Sequence, residues 1–287
     1  MSANRHSNQL FLLTLATIFI STSGALGKYI DMPTPVVIWW RSALAAVFLL
    51  LYCKYKKISL RIASTKDKRT FIVAAVLMGA HWITYFYALK LSNVAVGMLS
   101  LFTFPVMIAL LEPFFSKSKL DPVHILLGCI VLIGIYNLAP GFDLNSSQLQ
   151  GILFGLLSAL CYALRVLILK KQVSTYNGTM LMFYQVMIIT VILSPILYFE
   201  TTSNMTTQYP YVILLALLTT AIGHTLFINS LYHFKASTAS IIGSAQPVFG
   251  IIIAYFFLNE LPTISTFVGG ALILTTVVVE SIRSKNK

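Results

Sequence analysis

Charged residues are scarce in this sequence. Only 10% of its 287 residues are Asp, Glu, Lys or Arg, whereas 57% are apolar. A soluble globular domain has about 25% charged residues, so this composition excludes one. Acidic residues are the scarcest, with 8 Asp and Glu against 20 Lys and Arg.

Cysteine and catalytic motifs are also sparse. The three cysteines, Cys53, Cys129 and Cys161, lie in apolar runs, and an odd set of this kind predicts packing residues rather than a disulfide framework. The sequence has no phosphate-binding loop, nucleophile elbow, zinc motif or pair of central carboxylates. We therefore expect no enzyme activity, no catalytic residues, no metal site and no cofactor.

Long apolar runs are what the sequence has instead. A transmembrane helix needs about 20 mostly apolar residues, and unpaired backbone polar groups are not tolerated in lipid, so each run must be helical. Ten such runs occur, at residues 8–29, 34–53, 71–90, 92–115, 121–139, 150–170, 178–199, 209–232, 236–258 and 262–282. The sequence predicts an all-α integral membrane protein with ten transmembrane helices, and the lipid bilayer is its first partner.

The net charge of +12 could suggest a nucleic-acid partner, but the placement of the charges argues against it. Seven of the basic residues fall in one loop: Lys54, Lys56, Lys57, Arg61, Lys66, Lys68 and Arg69. If the ten runs alternate across the bilayer, this loop and most other basic residues share one side. Because positive loops stay in the cytoplasm, we expect a multi-pass inner-membrane protein with both termini cytoplasmic, and no nucleic acid.

The chain also contains an internal sequence repeat. Residues 88–120 and 230–262 both have a small-residue turn, a stretch of small and apolar residues, then Pro-Val, at Pro105 and Pro247. The register predicts a first repeat at 1–140 and a second at 141–287. Five helices per repeat is an odd number, so the second copy enters the membrane from the opposite side. Such inverted repeats are typical of secondary transporters, whose binding site lies between the halves.

The residues resemble the EamA family of the drug/metabolite transporter superfamily along essentially the whole chain. The resemblance rests on Arg41, on ALKLSNVAVGMLSLFTFPV and STASIIGSAQPVFGIIIAYFFLNE, and on Gly128, Gly134, Gly269 and Gly270. The glutamate that ends helix 9 in the family is matched by Glu260, whereas the first half has Ser118 there and carries Glu112 earlier. The resemblance implies ten helices around a central cavity and the transport of small metabolites, often the export of amino acids or related compounds.

Polar and aromatic residues inside the apolar runs are the candidate substrate contacts, since charges at membrane depth usually mark functional sites. They are Arg41, His81, Trp82, Tyr85, Tyr162, His224, Asn229, Ser244 and Gln246. Arg41 would bind a carboxylate of the substrate or, alternatively, anchor its helix to backbone carbonyls. The histidines would line a cavity, relay protons or join helices by hydrogen bonds, and packing is the alternative for each aromatic ring.

Four further residues are candidates for gating. Pro105 and Pro247 each remove one helix hydrogen bond and permit a bend, unless they form static kinks. Glu112 and Arg165 could meet near the cytoplasmic side and latch a gate, or lie separately towards the interface.

Together these observations predict a secondary transporter that exports small organic metabolites by alternating access. A flippase-like or accessory membrane protein acting on lipid head groups is the alternative. No carboxylate lies at the centre of a helix, which favours a facilitator, an exchanger or coupling through histidine. The substrate, the coupling ion and the choice between monomer and homodimer stay open.

Overall fold

The computed structural model describes residues 2–116, 122–138, 143, 145–170, 172–200, 205–233, 243 and 245–285. Every regular element in these ranges is helical, which confirms the all-α prediction. The α-helices are α1 (Ser2–Tyr29), α2 (Thr34–Tyr55), α3 (Thr65–Leu91), α4 (Val94–Leu101), α5 (Phe104–Ser116), α6 (Pro122–Leu138), α7 (Ser147–Leu169), α8 (Gly178–Leu193), α9 (Ile196–Phe199), α10 (Met205–Leu214), α11 (Thr225–His233), α12 (Gln246–Leu258) and α13 (Ile264–Lys285). A π-helix, Leu215–His224, joins α10 to α11.

Seven helical stretches are long and apolar enough to cross a membrane. They are Asn8–Tyr29, Thr34–Tyr55, Thr65–Leu91, Val94–Phe115, Ser147–Leu169, Gly178–Phe199 and Thr206–Ser230. Shorter apolar helices at Pro122–Leu138, Gln246–Leu258 and Ile264–Val279 overlap the other three predicted runs. The chain is thus a multi-pass membrane protein.

The two repeated prolines both lie in the first turn of a helix. The chain turns at Phe102 and Thr103 between α4 and α5, so Pro105 occupies the start of α5. Pro247 likewise lies at the start of α12. A first turn suits proline because its missing N–H has no acceptor there in any case. In the first half the helical stretch Val94–Phe115 is therefore interrupted by a turn at Phe102 and Thr103, just before Pro105.

Helices of the first half pack mainly against helices of the second. α3 lies against α7, α2 against α8, and α6 against α13, while α1 contacts the π-helix and α12. Glycine permits the closest of these approaches. A Cβ at Gly269 on α13 would lie 2.6 Å from the carbonyl oxygen of Gly134 on α6. Small residues at such positions let membrane helices meet backbone to backbone.

A polar cluster closes the end of the bundle where α4 begins. Glu260 accepts a hydrogen bond from the Val94 N–H (2.8 Å), and Asn93 caps the same helix through the Val96 N–H (2.8 Å). Lys28 donates to the carbonyl oxygen of Ser92 (2.7 Å), and Lys90 donates to that of Met32 (2.5 Å). We call this cluster the Glu260 end. It ties the chain after α12 to the start of α4, so it joins the two halves.

Candidate functional site

A cavity of about 390 Å³ lies inside the bundle and is lined by residues of both halves. Its walls come from α1, α2, α3, α4, α5 and α6 of the first half and from α7, the π-helix, α11, α12 and α13 of the second. The lining is largely apolar, with a few polar groups among aromatic rings, which is the usual composition of a small-molecule site.

Most of the candidate residues come together in this cavity. The lining residues among them are Arg41, His81, Trp82, Tyr85, Pro105, Glu112, Tyr162, Arg165, His224 and Gln246. Asn229 is not one of the lining residues and packs beside Gly178, at the start of α8. Pro247 is buried within α12, and Ser244 lies outside the described residues.

Arg41 projects from α2 and is only 1% exposed. Its Nε–H donates to Thr220 Oγ1 (2.6 Å) and its Nη2 donates to Thr219 Oγ1 (3.1 Å). The guanidinium carbon lies 4.0 Å from the centre of the Trp82 ring, within the range of a cation–π contact. Nη1 has no hydrogen-bond partner. The guanidinium is thus held by two hydroxyls and a ring, with one nitrogen left over.

Arg165 repeats this arrangement on α7. It is 3% exposed, and its Nε–H donates to Gln185 Oε1 (2.6 Å). Its guanidinium carbon lies 5.6 Å from the centre of the Tyr162 ring, and Nη2 has no hydrogen-bond partner. Gln185, Thr219 and Thr220 were not identified as candidates from the sequence. Gln185 could have been identified, because it is a polar amide in the middle of an apolar run.

His81 has a defined hydrogen-bond role. Ser158 Oγ donates to the carbonyl oxygen of His81 (2.8 Å), so the same hydroxyl accepts from His81 Nδ1 at 2.7 Å. A hydroxyl has one proton to give, which assigns a proton to Nδ1 and leaves Nε2 of the neutral ring as an acceptor. The His81 ring lies 4.8 Å from that of Tyr162, and the His224 ring lies 5.8 Å from that of Trp82.

The expected pairing of Glu112 with Arg165 does not occur. Glu112 instead pairs with Lys170, with Oε1 and Nζ 2.5 Å apart and with side chains 36% and 58% exposed. Lys170 follows the last turn of α7 and reaches solvent, whereas Arg165 points into the bundle towards Gln185. We call the Glu112–Lys170 pair the Glu112 end of the cavity, because both residues line it.

The fold and this cavity define a class: an all-helical, multi-pass membrane protein with a chamber between its halves. Residues 8–139 and 149–281 each match the EamA-like transporter family, so the chain belongs to that family. This confirms the resemblance seen in the sequence. Members of the family are transporters of the cell membrane rather than enzymes, which places this chain among small-molecule transporters.

Individual relatives are distant but cover nearly the whole chain. The uncharacterized transporter YxxF of Bacillus subtilis is 22% identical over 100% of this chain and 94% of its own length. An uncharacterized transporter of Archaeoglobus fulgidus is 25% identical, with 93% and 94% covered. The pseudopaline exporter CntI of Pseudomonas aeruginosa is 20% identical, with 96% of each chain covered. One solved crystal structure, 17% identical, matches 98% of both chains with a TM-score of 0.69, which shows a shared fold.

Proposed function

We propose that this chain is a secondary transporter that exports small organic metabolites, such as amino acids or related compounds, across the inner membrane by alternating access. Its ten helices would form two inverted repeats, residues 1–140 and 141–287, with both termini in the cytoplasm. The binding residues would be those that meet in the cavity, above all Arg41, His81, Trp82, Tyr162, Arg165 and His224.

The observation that carries this proposal is the difference between the two ends of the cavity. Towards the Glu260 end, α1, α4 and α12 pack through glycines, and a Cβ at Gly24 or Gly250 would press on the side chain of Met98. Towards the Glu112 end, the described residues at the boundary include the exposed Glu112–Lys170 pair. Alternating access needs one end tightly packed while the other is held by contacts that break easily, since exposed ion pairs contribute little stability.

The distribution of basic residues indicates which side of the membrane each end of the cavity would face. The Glu112 end lies on the side of the basic loop 54–69, which the positive-inside rule assigns to the cytoplasm. This charge distribution supports a transporter whose Glu112 end faces the cytoplasm, where it would load a product of metabolism. The CntI relative is named as an exporter, which supports the same direction here.

Flux measured in reconstituted vesicles tests this function. We expect exchange of at least one compound from a panel of amino acids, organic acids, nucleosides, sugars and amines, above the level in empty liposomes. Ala109→Phe should abolish that exchange because Ala109 is buried on the cavity wall. Leu132→Phe, on the 68% exposed surface of α6, is the matched control and should transport normally. Absence of flux for the whole panel, or equal flux in the two variants, would contradict the proposal.

A further inference from the structure

Two buried arginines, Arg41 and Arg165, line the cavity, and no carboxylate of the described residues pairs with either of them. We propose that they select the substrate: a small organic acid with two carboxylate groups, one bound by Arg41 and the other by Arg165. This inference rests on the proposed transport function and names the chemical class of what is carried.

The first step concerns the cost of burying these guanidinium groups. Arginine stays protonated in proteins, so neither side chain can lose its charge to suit an apolar environment. A buried charge is strongly unfavourable unless it is paired. Yet Arg41 donates to threonine hydroxyls and Arg165 donates to the Gln185 oxygen, none of which is charged, and each arginine retains an unpartnered nitrogen.

The second step concerns three acidic residues that have other partners. Glu112 pairs with Lys170, Glu260 caps α4, and Asp67 accepts from Gln172 and Tyr176 at the start of α3. Across the described residues, no carboxylate pairs with Arg41 or Arg165. The missing negative charge is therefore left for a ligand to supply.

The third step is that the two arginines face one chamber from different sides. Arg41 stacks on Trp82, which contacts His224, whereas Arg165 lies beside Tyr162, which contacts His81. Arg41, Arg165, His81 and His224 all line this one cavity. A ligand that satisfied both arginines would therefore span the chamber between the two ring pairs. Guanidinium binds carboxylate in a planar, two-pronged geometry, and each arginine has one buried nitrogen without a hydrogen-bond partner.

The same charges determine what the cavity rejects. With the Glu112–Lys170 pair neutral overall, Arg41 and Arg165 leave the chamber with a positive charge of about two in a setting of low dielectric constant. Organic cations would be repelled. Molecules with a single carboxylate would leave one buried arginine without a partner, which discriminates strongly between related ligands.

Isothermal titration calorimetry on the purified full chain tests this selectivity. The probes are linear dicarboxylates of three to seven carbons and L-glutamate, each compared with the monocarboxylate and the diamine of the same length, such as succinate, butyrate and putrescine. We expect at least one dicarboxylate to bind about 10-fold or more tightly than its monocarboxylate, and no diamine to bind. If no dicarboxylate exceeds its monocarboxylate match, or if a diamine binds best, the inference is wrong.

Substitution of the two arginines tests the assignment of residues. Arg41→Gln and Arg165→Gln should each weaken dicarboxylate binding by roughly 10- to 100-fold, the usual effect of losing a hydrogen bond between charged groups. Either substitution should also bring dicarboxylate and monocarboxylate affinities together. Arg61→Gln, in the exposed loop, is the matched control and should bind normally. An unchanged affinity in Arg41→Gln or Arg165→Gln would remove that residue from the site.

Folding and function are separated by two additional measurements. Arg41→Lys and Arg165→Lys keep the charge while losing the two-pronged geometry, so they report on binding if the glutamine variants do not fold. Vesicle flux of neutral metabolites without dicarboxylate binding would refute the substrate class and leave transport intact. Arginine-dependent dicarboxylate binding without any flux would support the substrate class and refute the transport function.

Discussion

Asn93 is a single residue whose contribution can be isolated. It caps α4 through the Val96 N–H, beside the Val94 N–H that Glu260 occupies. Loss of an N-cap costs about 1 kcal/mol, so Asn93→Ala should lower the free energy of unfolding in detergent by about that amount. Asn93→Ser keeps an acceptor at the cap and is the control. Equal unfolding free energies for the alanine and serine variants would show that the cap contributes nothing.

The sequence indicated which single residues are unusual more readily than it indicated which residues they contact. Arg41, His81 and His224 stand out because polar groups in apolar runs are rare and costly. Pairing of Glu112 with Arg165 was one of two alternatives, because both fall near the cytoplasmic side of the predicted topology. In the structure Glu112 pairs with Lys170, which directly follows α7. The direction in which each side chain points depends on how the helices pack together, and this packing is not evident from the sequence.

At the scale of helices, the contact between α6 and α13 depends on Gly134 and Gly269. Alanine at Gly269 would place a Cβ 2.6 Å from the backbone oxygen of Gly134, whereas alanine at Gly128 would meet only Leu110 at 3.7 Å. Alanine favours a helix over glycine by up to about 1 kcal/mol. Gly128→Ala should therefore be neutral or stabilising, and Gly269→Ala destabilising because the helices must separate. Thermal unfolding of both variants in one detergent measures this, and a stabilised Gly269→Ala variant would contradict the close contact.

The positions of the helices were predictable, but their internal winding was not. Seven of the ten apolar runs correspond to described helices long enough to cross a membrane, and the other three overlap shorter apolar helices, because apolar length is a direct requirement of the bilayer. The run at 209–232 looked like one continuous helix, yet residues 215–224 form a π-helix. An α-helix and a π-helix in a membrane have the same apolar composition, so the sequence pattern does not distinguish between them. In the structure, this π-helical segment places Thr219 and Thr220 against Arg41.

At the scale of the whole molecule, the orientation in the membrane can be tested directly. We expect Lys56 in the cytoplasm and Asn145 outside, because the loops that carry them are on opposite sides of the predicted topology. In a variant with the native cysteines replaced by serine, an impermeant maleimide should label Asn145→Cys in intact cells. Lys56→Cys should react only after permeabilisation. The opposite labelling pattern would overturn both the orientation and the assignment of the Glu112 end to the cytoplasm.

The Glu112–Lys170 pair provides a second test at this scale. Glu112→Lys should place two like charges at the mouth of the cavity and reduce exchange flux several-fold. The double variant Glu112→Lys/Lys170→Glu restores the opposite charges and should recover most of that flux. Stability should change by less than about 1 kcal/mol throughout, because the pair is exposed. Lys66→Glu in the basic loop is the charge-matched control, and failure of the double variant to recover would show that the pair does not control the mouth.

The π-helix couples the site to the backbone that carries it. Thr219 and Thr220, which hold Arg41, and His224, which contacts Trp82, all belong to this ten-residue segment. Tightening any part of it to the ordinary 3.6 residues per turn would rotate these side chains about the axis in concert. A change of pitch in this one segment would therefore move the hydroxyls that hold Arg41 together with the imidazole beside Trp82.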